Sequence, residues 1–123
     1  MSIKDNIQRF RDELPQGVKL VAVTKTRAVE EVMEAYEAGH KIFGENKVQE
    51  LVEKYEALPH DIEWHMIGHL QSNKVKYIAP FVYLIHGVDK PKLFKVIEKE
   101  GRKNKRIIDV LMQFHIAQEE TKF

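Results

Sequence analysis

At 123 residues the chain has room for one modest domain, roughly half of the ~250 residues that a closed eight-stranded α/β barrel uses. Twenty basic against nineteen acidic groups leave a formal charge of +1, so nothing in the overall balance argues for a nucleic-acid or membrane partner. The absence of cysteine excludes disulfides, thiolate nucleophiles and thiolate metal sites.

The amino terminus enters a polar, amphipathic stretch rather than a signal-peptide core, and no apolar run is long enough to cross a bilayer. The expectation is a cytoplasmic protein. Ile3, Ile7, Phe10 and Leu14 recur at helical spacing, Pro15-Gln16-Gly17 marks a turn, and Val18 to Thr24 reads as a first strand. A second helix carries Val29, Val32, Met33 and Tyr36 and ends at Gly39. Lys41 to Gly44 is a short strand, and Val48, Leu51, Val52, Tyr55 and Leu58 mark a third helix that stops near Pro59. Ile62 to Ile67 then predicts a third strand, Gln71 to Ile78 a short helix, and Phe81 to Ile85 a fourth strand. Lys90 to Glu100 predicts a helix with Leu93, Phe94 and Ile97 inward, and Arg106 to Ile116 a fifth strand.

This alternation argues for an α/β fold with a parallel sheet covered by helices, and by itself leaves a barrel and a doubly wound sheet both open. Two features favour the barrel. Polar residues collect just after the strand segments, at Lys25, Glu45-Asn46, Gly68-His69 and Gly87-Val88-Asp89, as on the rim of a barrel. No Gly-x-Gly-x-x-Gly loop and no Gly-Lys-Ser/Thr phosphate loop occurs. The expected domain is 1–123, parallel βα repeats forming the N-terminal half of a TIM-type barrel, incomplete in this chain.

Lys25 closes the run Val21-Ala22-Val23-Thr24 and is the leading candidate for chemistry. Held among apolar walls, its neutral amine adds to a carbonyl to make a Schiff base; the alternative is a lysine that snorkels from a strand end to solvent. Asn46 is either the cap of the following helix or an amide that holds a ligand, and Glu45 either a proton acceptor or an anion near a helix amino terminus. Gly68 at a strand end permits close approach of a ligand or of neighbouring backbone, and His69 after it either meets a planar ligand or is a surface histidine. His65 and His69, four apart across a strand-to-loop change, are not read as a metal pair. His86 and His115 are adequately explained as interior histidines satisfied by hydrogen bonds, and Lys122, just beyond the fifth strand, either meets an anion or is a mobile lysine. The basic segment from Lys90 to Arg106 lacks interleaved aromatics and reads as a solvated helix and turn.

Three blocks in register, Val21-Ala22-Val23-Thr24-Lys25-Thr26, Phe43-Gly44-Glu45-Asn46-Lys47-Val48-Gln49-Glu50 and Trp64-His65-Met66-Ile67-Gly68-His69-Leu70-Gln71-Ser72-Asn73-Lys74, resemble the pyridoxal phosphate homeostasis protein family. The resemblance continues through Ile85-His86-Gly87-Val88-Asp89 and Gln113 to Lys122. Members of that family are similar to the N-terminal barrel domain of alanine racemase. The resemblance implies pyridoxal 5'-phosphate as cofactor, with Lys25 as its Schiff-base lysine and Asn46, His69, His86 and Lys122 around the same pocket. It implies cofactor binding and homeostasis affecting amino-acid and keto-acid balance, with amino acids and recipient apo-enzymes as partners.

The chain departs from the family pattern at Lys47, where tyrosine is common, at Gly87, where serine is common, and at His115, a usual asparagine position. The glycine-rich phosphate cradle of the family's carboxyl half is absent from these 123 residues. The expectation is therefore an amino-terminal part whose exposed sheet edges favour self-association. Two alternatives stand beside it, an amino-acid racemase using the same cofactor and a cofactor-free structural or partner-binding domain. Racemisation needs a base on each face of the carbanion, and the second base of the racemases is a tyrosine from another domain.

Overall fold

A computed structural model describes residues 2–113. The elements are α1 (Ile3–Glu13), β1 (Ala22–Val23), α2 (Val29–Glu37), β2 (Ile42–Glu45), α3 (Val48–Ala57) and β3 (Glu63–Met66). A 3-10 turn (Ser72–Lys74), α4 (Val75–Ile78), β4 (Leu84–Val88), α5 (Pro91–Lys103) and β5 (Asp109–Met112) follow. Local chemistry starts these helices. Ser2 caps α1, its Oγ accepting from the Asp5 N–H at 3.0 Å, and Pro91 occupies the first turn of α5, where no intrahelical donor is needed.

All five strands are parallel and neighbour one another in chain order, β1-β2-β3-β4-β5. A doubly wound sheet reverses its strand order at a switch point, whereas here each βα unit advances the sheet the same way, as in a barrel. The described residues form an incomplete α/β barrel. Phe43, Trp64, Met66, Ile85 and Val88 turn from the sheet into one core with Val32, Leu51, Val75, Ile78, Leu93 and Ile97 from the helices. Among the described residues no helix is long and apolar enough to cross a membrane.

Ile85 and Val88 both enter that core although residues three apart on a regular strand face opposite ways. A bulge reconciles them: Ile85 pairs with Val110 and Val88 with Met112, so a step of three residues on β4 matches a step of two on β5. Gly87, at φ +67°, takes the left-handed conformation that the bulge requires.

Several expected boundaries move. β1 is two residues long rather than the run from Val18, and β4 lies three residues beyond the expected Phe81 start, so His86 sits within the strand rather than after it. Phe81 and Val82 instead close the turn after α4, their N–H groups bonding the Ile78 carbonyl. β5 begins at Asp109, because the Arg106 N–H still closes the end of α5 on the Gly101 carbonyl at 2.8 Å; its guanidinium donates to the carbonyls of Ala79 at 2.6 Å and Val82 at 2.7 Å. Arg106 thus leaves the solvated basic face assigned to it, satisfying carbonyls that α4 cannot satisfy itself. The later part of the fifth-strand expectation, with His115 and Lys122, lies outside the described residues.

Candidate functional site

Because the strands are parallel, their carboxyl ends share one rim. Lys25 follows β1, Asn46 follows β2 and Gly68-His69 follow β3, whereas His86 is the middle residue of β4. Asn46 and His69 line one cavity of about 540 Å³ with Gln71, Lys74 and Tyr77. His69 and His86 line another of about 700 Å³ with Ser72, Lys90 and Lys92. Lys25 lines neither and is exposed, so the apolar walls expected around it are not found among the described residues and its placement is that of the alternative, a lysine reaching solvent from a strand end. Lys122 lies outside the described residues.

The loops after β2 and β3 meet backbone to backbone. A Cβ on Gly68 would stand 2.4 Å from the Asn46 carbonyl oxygen and 2.9 Å from its Cα, so only glycine permits this approach. Asn46 does not cap α3: the capping position is Lys47, with no side-chain cap bond.

Beneath Lys25 lies a buried ionic cluster. Thr24 continues the β1 ladder, its N–H donating to the Gly44 carbonyl at 3.1 Å, and its hydroxyl donates to Glu45 Oε2. Lys54 Nζ donates to the same carboxylate oxygen at 2.7 Å and to the Thr24 carbonyl at 2.6 Å. The side chains of Lys54 and Glu45 are 5% and 0% exposed, so Glu45, three residues before α3, is a buried anion paired with Lys54. The counter-charge and the further bonds of Lys54 Nζ and Glu45 Oε2 offset burial, while Glu45 Oε1 stands buried without a hydrogen-bond partner.

Glu50 extends the cluster upward. One of its carboxylate oxygens accepts from the Thr26 N–H at 2.9 Å and stands 3.6 Å from Lys54 Nζ. Thr26 has φ +61°, and its hydroxyl donates to the Lys25 carbonyl at 2.6 Å. A β-branched residue in the left-handed region costs about 1–2 kcal/mol, which the surrounding bonds must offset. The peptides on both sides of Lys25 are therefore held by α3.

Lys54 and Glu50 were not among the residues singled out from the sequence. Leu51, Lys54 and Leu58 are spaced as one helical stripe and all three are buried, so a lysine on the apolar face of α3 was the available signal. The lysine kept from water is Lys54, while Lys25 is the accessible one.

On the face opposite the helices, polar side chains run in a chain. Lys19 Nζ donates to Glu63 at 3.2 Å and to the Tyr83 hydroxyl at 3.3 Å, His65 Nε2 meets Glu63 at 2.9 Å, and His65 Nδ1 meets His86 Nε2 at 3.0 Å. His65 also stacks on Tyr83 at 5.7 Å between centroids. His65 is buried in these bonds and His69 is exposed at the rim. Burial, and secondarily the charge of His65, pushes His86 below the ordinary histidine value.

Residues 1–117 match the family described as alanine racemase, N-terminal domain. The chain is 43% identical over 124 residues to the pyridoxal phosphate homeostasis protein of Aquifex aeolicus, covering 98% of this chain and 54% of that protein. It is 38% identical over 126 residues to the protein of the same name in Pasteurella multocida, again covering 98% of this chain and 54% of that one. Among solved structures, PipY of Synechococcus elongatus PCC7942 with pyridoxal phosphate bound superposes with a TM-score of 0.87 at 33% identity, covering 96% of this chain and 57% of PipY. The chain thus spans about half the length of the curated relatives it matches.

Proposed function

The chain belongs to the alanine racemase N-terminal domain family and matches pyridoxal phosphate homeostasis proteins along nearly its whole length, and on that footing we propose that it binds pyridoxal 5'-phosphate through Lys25. The cofactor supplies an aldehyde, which condenses with a primary amine to a Schiff base with loss of water. One observation carries the reading: Lys25 presents an accessible amine at the carboxyl end of β1 while the peptides on both sides of it are fixed by α3. Lys54, buried and ion-paired with Glu45, is closed to an incoming aldehyde.

The residues present fit such a group. Gly68 brings the β3 loop against the Asn46 backbone, and His69 and Asn46 share a cavity beside that contact. Asn46 offers an amide to a ring substituent and His69 an imidazole face or N–H, with His86 beside the second cavity; the family resemblance adds Lys122, outside the described residues. Tight retention of a phosphate calls for converging backbone donors, which the family resemblance assigns to segments beyond these strands. In this reading the chain is the amino-terminal part of a cofactor-homeostasis protein, holding the cofactor for transfer to recipient apo-enzymes.

The test is a titration of the chain with pyridoxal phosphate, followed by borohydride reduction and peptide mass mapping, beside Lys25→Ala. Saturable labelling concentrated on Lys25 and lost in Lys25→Ala is the expected result. Labelling spread evenly over surface lysines, and unchanged in Lys25→Ala, overturns the reading.

A further inference from the structure

The strained turn at Thr26 has a device attached to it. We propose that Glu50, seated on the buried Lys54–Glu45 pair, is a positioning residue that holds the Lys25–Thr26 peptide in its left-handed turn and thereby sets the direction of the Lys25 amine. This rests on the reading of Lys25 as the cofactor lysine. Three independent observations converge. Thr26 is one of two non-glycine residues with positive φ among those described, and its N–H goes to Glu50 rather than to a backbone carbonyl. Lys54 bonds the carbonyl of Thr24, so α3 grips the residue before Lys25 and the residue after it through two side chains four apart.

The third observation is burial. Glu45 anchors Lys54 in a site closed to water, which gives the grip a fixed base in place of two mobile surface side chains. An amine on a freely moving loop samples many directions, and one on a constrained turn samples few, so the constraint acts on the rate at which Lys25 captures an aldehyde. Neither Glu50 nor Lys54 touches the aldehyde in this account.

The experiment compares wild type, Glu50→Ala and Glu50→Gln as full chains, with three readouts: hydrogen exchange of the Thr26 amide without cofactor, the rate of reducible labelling mapped to Lys25 across pH, and the thermal midpoint. Glutamine keeps a carbonyl that accepts from Thr26. Glu50→Ala is expected to release the Thr26 amide to exchange and to slow Lys25 labelling by about tenfold, while Glu50→Gln retains most of both. Wild-type labelling at Lys25 with an unaltered rate and pH profile in Glu50→Ala overturns the positioning role alone. Should Glu50→Ala not fold, Glu50→Asp takes its place, keeping the charge but drawing the carboxylate back from the Thr26 N–H: faster Thr26 exchange with slowed Lys25 labelling supports the role, and an unchanged rate overturns it. Wild type that never labels at Lys25 overturns the functional reading itself, and the positioning proposal with it.

Discussion

His65 Nδ1 and His86 Nε2 stand 3.0 Å apart across neighbouring parallel strands, and the other nitrogen of His65 meets Glu63 at 2.9 Å. A carboxylate only accepts, so His65 Nε2 carries a proton. With His65 neutral, His86 Nε2–H donates across the pair; with His65 charged, His86 accepts. Two imidazolium rings leave no acceptor between them.

His86 is therefore expected to titrate below the ordinary histidine value of 6.5, chiefly through burial and secondarily through His65. Following its ring protons by NMR in wild type and His65→Gln checks this. The substitution should raise the His86 midpoint without restoring it fully, because the larger cause, burial, stays in place. A midpoint at or above 6.5 in wild type contradicts the assignment.

Gly68→Ala should destabilise the fold by about 1–3 kcal/mol, as overpacking against backbone does, and should weaken cofactor capture by displacing Asn46. Gly17→Ala is the control: a Cβ there meets nothing within 4 Å, and the expected cost is the conformational strain of φ +89°, about 1 kcal/mol. Urea unfolding of both variants separates crowding from strain. Equal losses at the two sites would contradict the close approach at Asn46.

Lys54→Ala should cost about 3–5 kcal/mol by leaving the Glu45 carboxylate buried without its counter-charge. Lys54→Met combined with Glu45→Gln should cost clearly less, since no unpaired charge remains. A double mutant no more stable than Lys54→Ala would show that the pair's worth lies elsewhere, for instance in the Thr24 carbonyl bond.

Acidification should destabilise the chain partly through His40. Burial, and next the charge of Arg11 among the lowering causes, holds its folded pKa below 6.5 against hydrogen bonds to the Ile42 and Leu20 carbonyls. A histidine depressed in the folded state binds fewer protons there than when unfolded, so stability falls as pH drops from 6.5 towards the folded value. His40→Gln should lower stability at neutral pH and flatten the decline below it, as read by denaturant unfolding at several pH values. An acid slope identical to that of wild type would remove His40 as a contributor.

Chain order, alternation and the helical stripes carried the βα architecture, because helix and strand periods are properties of local sequence. Val48, Leu51 and Leu58 needed no partner to be read as one helical face. The same locality placed Lys25, Asn46 and Gly68-His69 at strand ends, and the three-block family resemblance joined them before any geometry was known. Tertiary structure alone decided the rest. Strand order in the sheet distinguished a singly wound barrel from a doubly wound sheet, since pairing is a long-range choice among equally apolar strands. The bulge at His86-Gly87 shifted β4 by a phase that no local pattern records. Which lysine is buried depended on where Glu45 of β2 comes to face Lys54 of α3, a contact between separate elements that composition cannot specify. Lys25 therefore owes its place in the chain to the sequence, and its held direction to a lysine and two glutamates that only folding assembles.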